Sequence, residues 1–157
     1  MKRNFKIFAL VIGLILITGC GTESNKEVVK KCTLTTNDVV NGYKLEAEYN
    51  IYGTGKVIDK VVTTETVISD DEDILDYFEE NLDDTYSATN EAYGGYTNEI
   101  TKEDGKLTSK TTIDYSVMNL DQYVKDNPSM RNYISSDNKL LIEGIVALYE
   151  QLGATCN

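Results

Sequence analysis

Tyr43-Lys-Leu-Glu-Ala-Glu-Tyr-Asn-Ile51 alternates apolar and polar side chains without a break. A period of two is the strand period. It puts Tyr43, Leu45, Ala47, Tyr49 and Ile51 on one face and Lys44, Glu46, Glu48 and Asn50 on the other. A strand with one wet face belongs in an antiparallel sheet that is covered on its other side. Gly53-Thr54-Gly55 turns the chain, and the β-branched, Thr-rich run from Lys56 to Ile68 supplies the return strand. Both faces of that run carry apolar residues, so its pattern leaves the inward side open. Cys32 to Thr36 begins a strand ahead of this hairpin.

Ser69-Asp70-Asp71-Glu72 then reads as a helix start. Ser69 is placed to cap the free amides with Glu72 three residues on, and the aspartates favour the positive end of the helix dipole. Ile74, Leu75, Phe78, Leu82 and Tyr86 fall on one stripe, so the helix is expected to lie on the sheet through that stripe. Tyr93-Gly94-Gly95-Tyr96 breaks it and leads into a second hairpin with Asp104-Gly105 near its tip. In the return strand Leu107, Ile113, Tyr115 and Val117 share one parity. Leu120 to Val124 forms a helical turn that ends before Asn127-Pro128. A last helix is expected from about Asp137 to Leu152, with Leu141, Ile145, Leu148 and Leu152 at helical spacing and Gly153 as its stop. The expected class is α+β: an antiparallel sheet of about four or five strands with helices packed on one face.

The first twenty residues follow a different logic. Lys2, Arg3 and Lys6 precede an eleven-residue apolar run, Ile7 to Ile17, then Thr18-Gly19-Cys20. A secretory signal has a positive end, an apolar stretch of about 7–15 residues and a small-residue cleavage site. A membrane-spanning helix needs about 20 apolar residues, so this run is too short for one. Ile17-Thr-Gly-Cys20 resembles a lipobox, the site where a cysteine thiolate accepts a diacylglycerol and a peptidase cuts just before it. The expectation is a cleaved signal peptide at 1–19, a lipidated Cys20 as the first mature residue, a flexible tether over 20–31 and a single globular domain at 32–157. The tether segment Gly21 to Lys31 would have an r.m.s. reach of roughly 18 Å.

That division sharpens the charge. All 26 acidic residues follow Cys20 and three of the 15 basic residues precede it, so the net charge moves from −11 to −14. A body this acidic is repelled by phosphate backbones, which excludes nucleic acid as a natural partner. The same charge is repelled by anionic lipid heads and is expected to keep the body off the membrane surface that its anchor grips. The absence of histidine removes the Ser-His and Cys-His nucleophile pairs and most zinc and copper sites. No cofactor and no metal is indicated.

Three cysteines divide by position. With Cys20 taken by lipid, Cys32 and Cys156 remain at the two ends of the body, and exported cysteines commonly pair. A Cys32–Cys156 disulfide is the expectation, with two free thiols as the alternative. The dense acids Asp70, Asp71, Glu72, Asp73, Asp76, Glu79, Glu80, Asp83 and Asp84 lack the alternating spacing and Gly turn of a calcium loop, and read as a solvated helix face. Among the tyrosines, Tyr43, Tyr49 and Tyr115 fall on core faces, whereas Tyr52, Tyr93 and Tyr96 sit by turns and are expected nearer the surface.

Tyr49-Asn-Ile-Tyr-Gly-Thr-Gly-Lys-Val57, the acidic helix after the next strand, and Asp104-Gly-Lys-Leu107 leading to Thr112-Ile-Asp-Tyr115 resemble the YehR-like small bacterial lipoproteins. The resemblance implies an α+β body behind a lipobox and no assigned active site. A cysteine near each end of the body departs from that pattern. Together these readings point to a membrane-anchored surface lipoprotein without enzymatic activity, contacting an envelope protein or a ligand. The alternatives are a small envelope hydrolase using a carboxylate pair, or an acidic inhibitor-like protein.

Overall fold

A computed structural model describes residues 27–157. Cys20, the expected signal peptide and most of the expected tether lie outside the described residues. The elements in chain order are β1 (Val28–Asp38), β2 (Tyr43–Thr54), β3 (Val57–Ile68), α1 (Glu72–Tyr93), β4 (Tyr96–Glu103), β5 (Lys106–Asp114), α2 (Leu120–Asp126), a 3-10 helix (Pro128–Tyr133), α3 (Ile142–Gln151) and β6 (Thr155–Cys156). The fold is α+β, with one antiparallel sheet in the order β4-β5-β3-β2-β1-β6.

Six strands replace the expected four or five. The additional one is β6, whose two residues pair Cys32 with Cys156 and Thr33 with Thr155. A two-residue strand has no periodicity to read. At the other end of β1, Val28 already pairs with Tyr52. Residues 28–31, assigned to the tether by their polarity, are therefore sheet, and the folded body begins ahead of Cys32.

The register explains where the core sits. Ile51, Val61 and Ile113 stand side by side across β2, β3 and β5, and so do Leu45, Val67 and Leu107. Inward-facing side chains of β3 are thus Val61, Thr63, Glu65 and Val67, which settles the side its sequence left open. The first row belongs to a large cluster with Tyr49, Tyr115, Met118, Leu140, Ile145 and Tyr149. The second belongs to a smaller cluster with Leu75, Phe78, Leu82 and Ile100. Phe78 of α1 meets Tyr43 edge-on at 5.0 Å, and Tyr149 of α3 stacks on Tyr49 at 4.0 Å. Tyr43 and Tyr49 lie on the same face of β2, so both helices reach the sheet from that side.

Three local expectations are corrected. Asp71, not Ser69, caps α1 by accepting from the Asp73 amide at 3.0 Å. The Ser69 hydroxyl accepts from the Asp71 amide at 3.1 Å and donates to the Gly42 carbonyl at 2.8 Å, tying the helix start to the β1–β2 loop. The last helix starts at Ile142 rather than Asp137. Asn138 adopts φ 56°, and Leu140 and Leu141 form strand-like bridges to Ile134 and Val57 instead of joining the helix. Val117 is 67% exposed because β5 ends at Asp114 and the alternation ends with it.

Gly95 shows why the second hairpin opens on glycines. Its φ is +82°, and a Cβ there would sit 2.5 Å from the Asp114 carbonyl oxygen. The close approach lets the Asp114 amide donate to the Gly95 carbonyl at 2.8 Å.

Candidate functional site

Two polar constellations stand out, one buried in the sheet and one open at its end. The buried one separates the two apolar clusters. Thr63, Glu65, Ser109, Thr111 and Asn98 fall on the inward face of β3, β5 and β4, between the two apolar rows. The Ser109 and Thr111 hydroxyls both donate to Asn98 Oδ1, at 2.8 and 2.9 Å. Tyr86 reaches down from α1, and its hydroxyl donates to Glu65 Oε2 at 2.8 Å. Among the described residues, no buried side-chain nitrogen or oxygen lacks a partner. A polar layer satisfied in this way avoids the cost of unpaired groups and fixes the register of the strands it joins.

Burial raises the Glu65 carboxyl above its ordinary value, and the Tyr86 hydrogen bond only partly offsets this. The Tyr49 hydroxyl is pushed up to about 12 by burial and then by the charge of Glu65, and Tyr86 is raised by the same two causes. A carboxyl that binds its proton more tightly when folded costs stability above its folded pKa. That cost fades as pH falls toward the unfolded value near 4.5. Glu65→Gln keeps an acceptor for Tyr86 and removes the charge. The variant is expected to exceed the parent in urea midpoint at about pH 7, with the advantage shrinking toward pH 4. An equal or lower midpoint at pH 7 would contradict this account of Glu65.

The open constellation is a cleft of about 450 Å³ where β3 begins, at the end of the sheet that also holds the β2–β3 turn. Three separate segments build it. From β3 come Ile58 and Asp59, with the Tyr115 amide donating to the Asp59 carbonyl at 2.9 Å. The link from β5 to α2 brings Ser116 and Asn119, the first turn of α2 brings Asp121, and Asn119 caps α2 through the Gln122 amide at 3.1 Å. Asp137, Asn138 and Lys139 come from a tight turn closed by the Ser135 amide on the Lys139 carbonyl at 2.8 Å. Asn138 Nδ2 donates to Asp121 Oδ1 at 3.2 Å, joining the last two segments. Ile58 N–H to Leu140 carbonyl, at 3.0 Å, joins the third to the first.

The floor is apolar, with Ile58, Tyr115, Met118, Leu120 and Leu140 all buried. The walls carry the carboxylates of Asp121 and Asp137, the amides of Asn119 and Asn138, one cation, Lys139, and the Asp59 carboxylate, which accepts from the Thr54 hydroxyl at 3.1 Å. Such a cleft suits a ligand or side chain with an apolar body and a hydrogen-bond-donating or cationic head. No sequence signal joined these residues into a site, because no motif or spacing links segments so far apart in the chain.

The residues singled out from sequence lie elsewhere. Cys32 and Cys156 face each other in the β1–β6 register with their sulfurs 1.98 Å apart, at disulfide distance. The acids of α1 lie along an exposed helix, where Lys102 pairs with Asp76 and, at 3.2 Å, with Glu79. Among the described residues, no group of three or more His, Cys, Asp or Glu is arranged to hold a metal ion. Tyr93 and Tyr96, expected near the surface, pack against the large core cluster instead, Tyr93 edge-on to Tyr123 at 5.4 Å. No helix among the described residues is long and apolar enough to cross a membrane.

The chain matches no protein-family model and no curated protein. It is similar in shape to a solved NMR structure of a protein from Streptococcus pneumoniae TIGR4, with 14% identity and a TM-score of 0.44. The match covers 100% of this chain and 97% of that one. At that score and identity the likeness assigns neither a family nor an activity.

Proposed function

We propose that this protein is a lipid-anchored lipoprotein on the extracytoplasmic face of a bacterial cell membrane. Its body serves as a non-enzymatic contact module, in the manner of the YehR-like lipoproteins its strand and turn patterns resemble. The observation that carries the reading is the run Lys2 to Cys20: positive end, eleven apolar residues, two small residues and a cysteine. Cys20 takes the lipid, and two acyl chains make a stable anchor where one alone is marginal. The cleft lined by Asp121 and Asp137 is the contact site, and its partner presents a cationic or donor-rich group to those carboxylates. Supporting the non-enzymatic reading, the chain has no histidine to serve as a general base.

Metabolic labelling with a radioactive fatty acid tests the anchor. The parent chain is expected to take up label and fractionate with membranes, and Cys20→Ala to lose both. Undiminished label on Cys20→Ala would refute the anchor.

A further inference from the structure

An apolar depression of about 340 Å³ opens beside the start of β1, lined by Val29, Ile142 and Val146, with Lys30, Lys56 and Glu143 on its rim. Val28 and Val29 are 43% and 42% exposed beside it. β6 pairs with Cys32 and Thr33, and Asn157 continues that edge with backbone bonds to Lys31, next to this corner.

We propose that this corner docks onto the lipid surface that holds the anchor, so that the body stands on the membrane through Val28, Val29, Ile142 and Val146. The proposal rests on the lipoprotein reading of Cys20. Three observations support it. The first is where the chain enters. Only residues 21–27 separate the lipidated cysteine from Val28, and the eight steps from Cys20 to Val28 span at most about 29 Å when fully extended. The apolar corner is therefore held within that distance of the bilayer whatever the orientation of the body.

The second is the distribution of charge. The body is acidic overall, but Lys30 and Lys56 are exposed on this rim, and Lys60 lies 5.0 Å over the ring of Tyr52, the partner of Val28. The densest acids begin at Asp70, at the opposite end of the sheet, where Ser69 bonds to Gly42 and Gly105. Twelve-residue β2 runs between the two ends, so they lie roughly 36–40 Å apart. The cleft acids Asp59, Asp121 and Asp137 share this end of the sheet, so it is the two rim lysines beside the depression, not the end as a whole, that meet anionic lipid heads and turn the apolar corner toward the membrane.

The third is the chemistry of the corner. Apolar side chains flanked by lysines match the boundary between acyl chains and head groups, where buried apolar area and attraction to anionic lipid add together.

The chain has no tryptophan, so a single introduced indole is an unambiguous reporter. Lipidated Val29→Trp and, separately, Val146→Trp are reconstituted in phosphatidylcholine–phosphatidylglycerol vesicles with brominated acyl chains. Val40→Trp, at a residue 95% exposed at the far end, is the reference. The proximal reporters are expected to shift to the blue and to be quenched several-fold more than the distal one. Lys30→Glu with Lys56→Glu is expected to lower the docking equilibrium by roughly fivefold for each lysine, so that proximal quenching falls toward the distal level. Proximal and distal reporters quenched alike, on protein shown to carry lipid at Cys20, would overturn the docking and leave the anchor standing. Absence of lipid on Cys20 would sink both. A proximal blue shift that grows with protein density and ignores brominated lipid would assign the corner to a second copy of the chain and overturn the proposal.

Discussion

Replacing both Cys32 and Cys156 by serine is expected to lower the melting temperature by about 10–20 °C. The two residues are separated by 124 positions. In the chain-entropy model a loop of that size restricts the unfolded chain by about 5 kcal/mol at the upper end, and several degrees follow from each kcal/mol in a domain of this length. The folded side of the balance points the same way. β6 has two residues, and its backbone bonds are those to Cys32 and Thr33 and the Lys31–Asn157 pair at 2.9 and 3.4 Å. Cys32 is fully buried against the large core cluster, so the serine there also leaves a polar hydroxyl in an apolar setting. Calorimetry of the double variant beside the oxidised parent measures the loss. A shift of less than a few degrees would mean that the parent holds two free thiols in solution.

Leu75→Ala is expected to cost about 3 kcal/mol in urea denaturation. α1 is 22 residues long, yet Leu75 is its one buried residue. It sits with Val67 and Leu107 in the smaller cluster, and Phe78 and Leu82 only partly cover that cluster from the next two turns. Removing the isobutyl group opens a cavity at the point where the helix is seated. Amide exchange in α1 and β4 should quicken before that in β2 and β3, which are held by the larger cluster. Tyr77→Ala, at a position 62% exposed on the same helix, is expected to change stability by no more than about 0.5 kcal/mol. Equal losses for the two variants would contradict the seating of α1 through this stripe.

What could be read from the chain alone follows from the physics of each segment. Period two over Tyr43 to Ile51 needs only a one-sided sheet to be informative, and the register places those residues on the covered face. The stripe from Leu75 to Tyr86 works in the same way at helical spacing. Asp104-Gly105 marks its turn because Gly105 takes φ +70° between β4 and β5. Other features depend on distant partners. Val28 to Lys31 look like a tether until Tyr52 and Ile51 pair with them. Leu141 keeps helical spacing with Ile145, but the Ile58 amide on the Leu140 carbonyl and the Leu141 amide on the Tyr133 carbonyl draw both leucines out of the helix. Glu65 is one of 26 acids, and only its place in the register puts it beneath Tyr86. The cleft was illegible for the strongest version of this reason. Asp59, Asp121 and Asp137 come from three segments, and no local pattern links them.

The lipid anchor sets the orientation of everything above, and the mass of the mature amino terminus tests it most directly. Protein extracted from membranes with detergent and digested with trypsin should yield an N-terminal peptide that begins at Cys20 and ends at Lys26. Its mass should exceed that of the bare peptide by a diacylglyceryl group. A peptide beginning upstream of Cys20, or one beginning there with an unmodified thiol, would contradict the account.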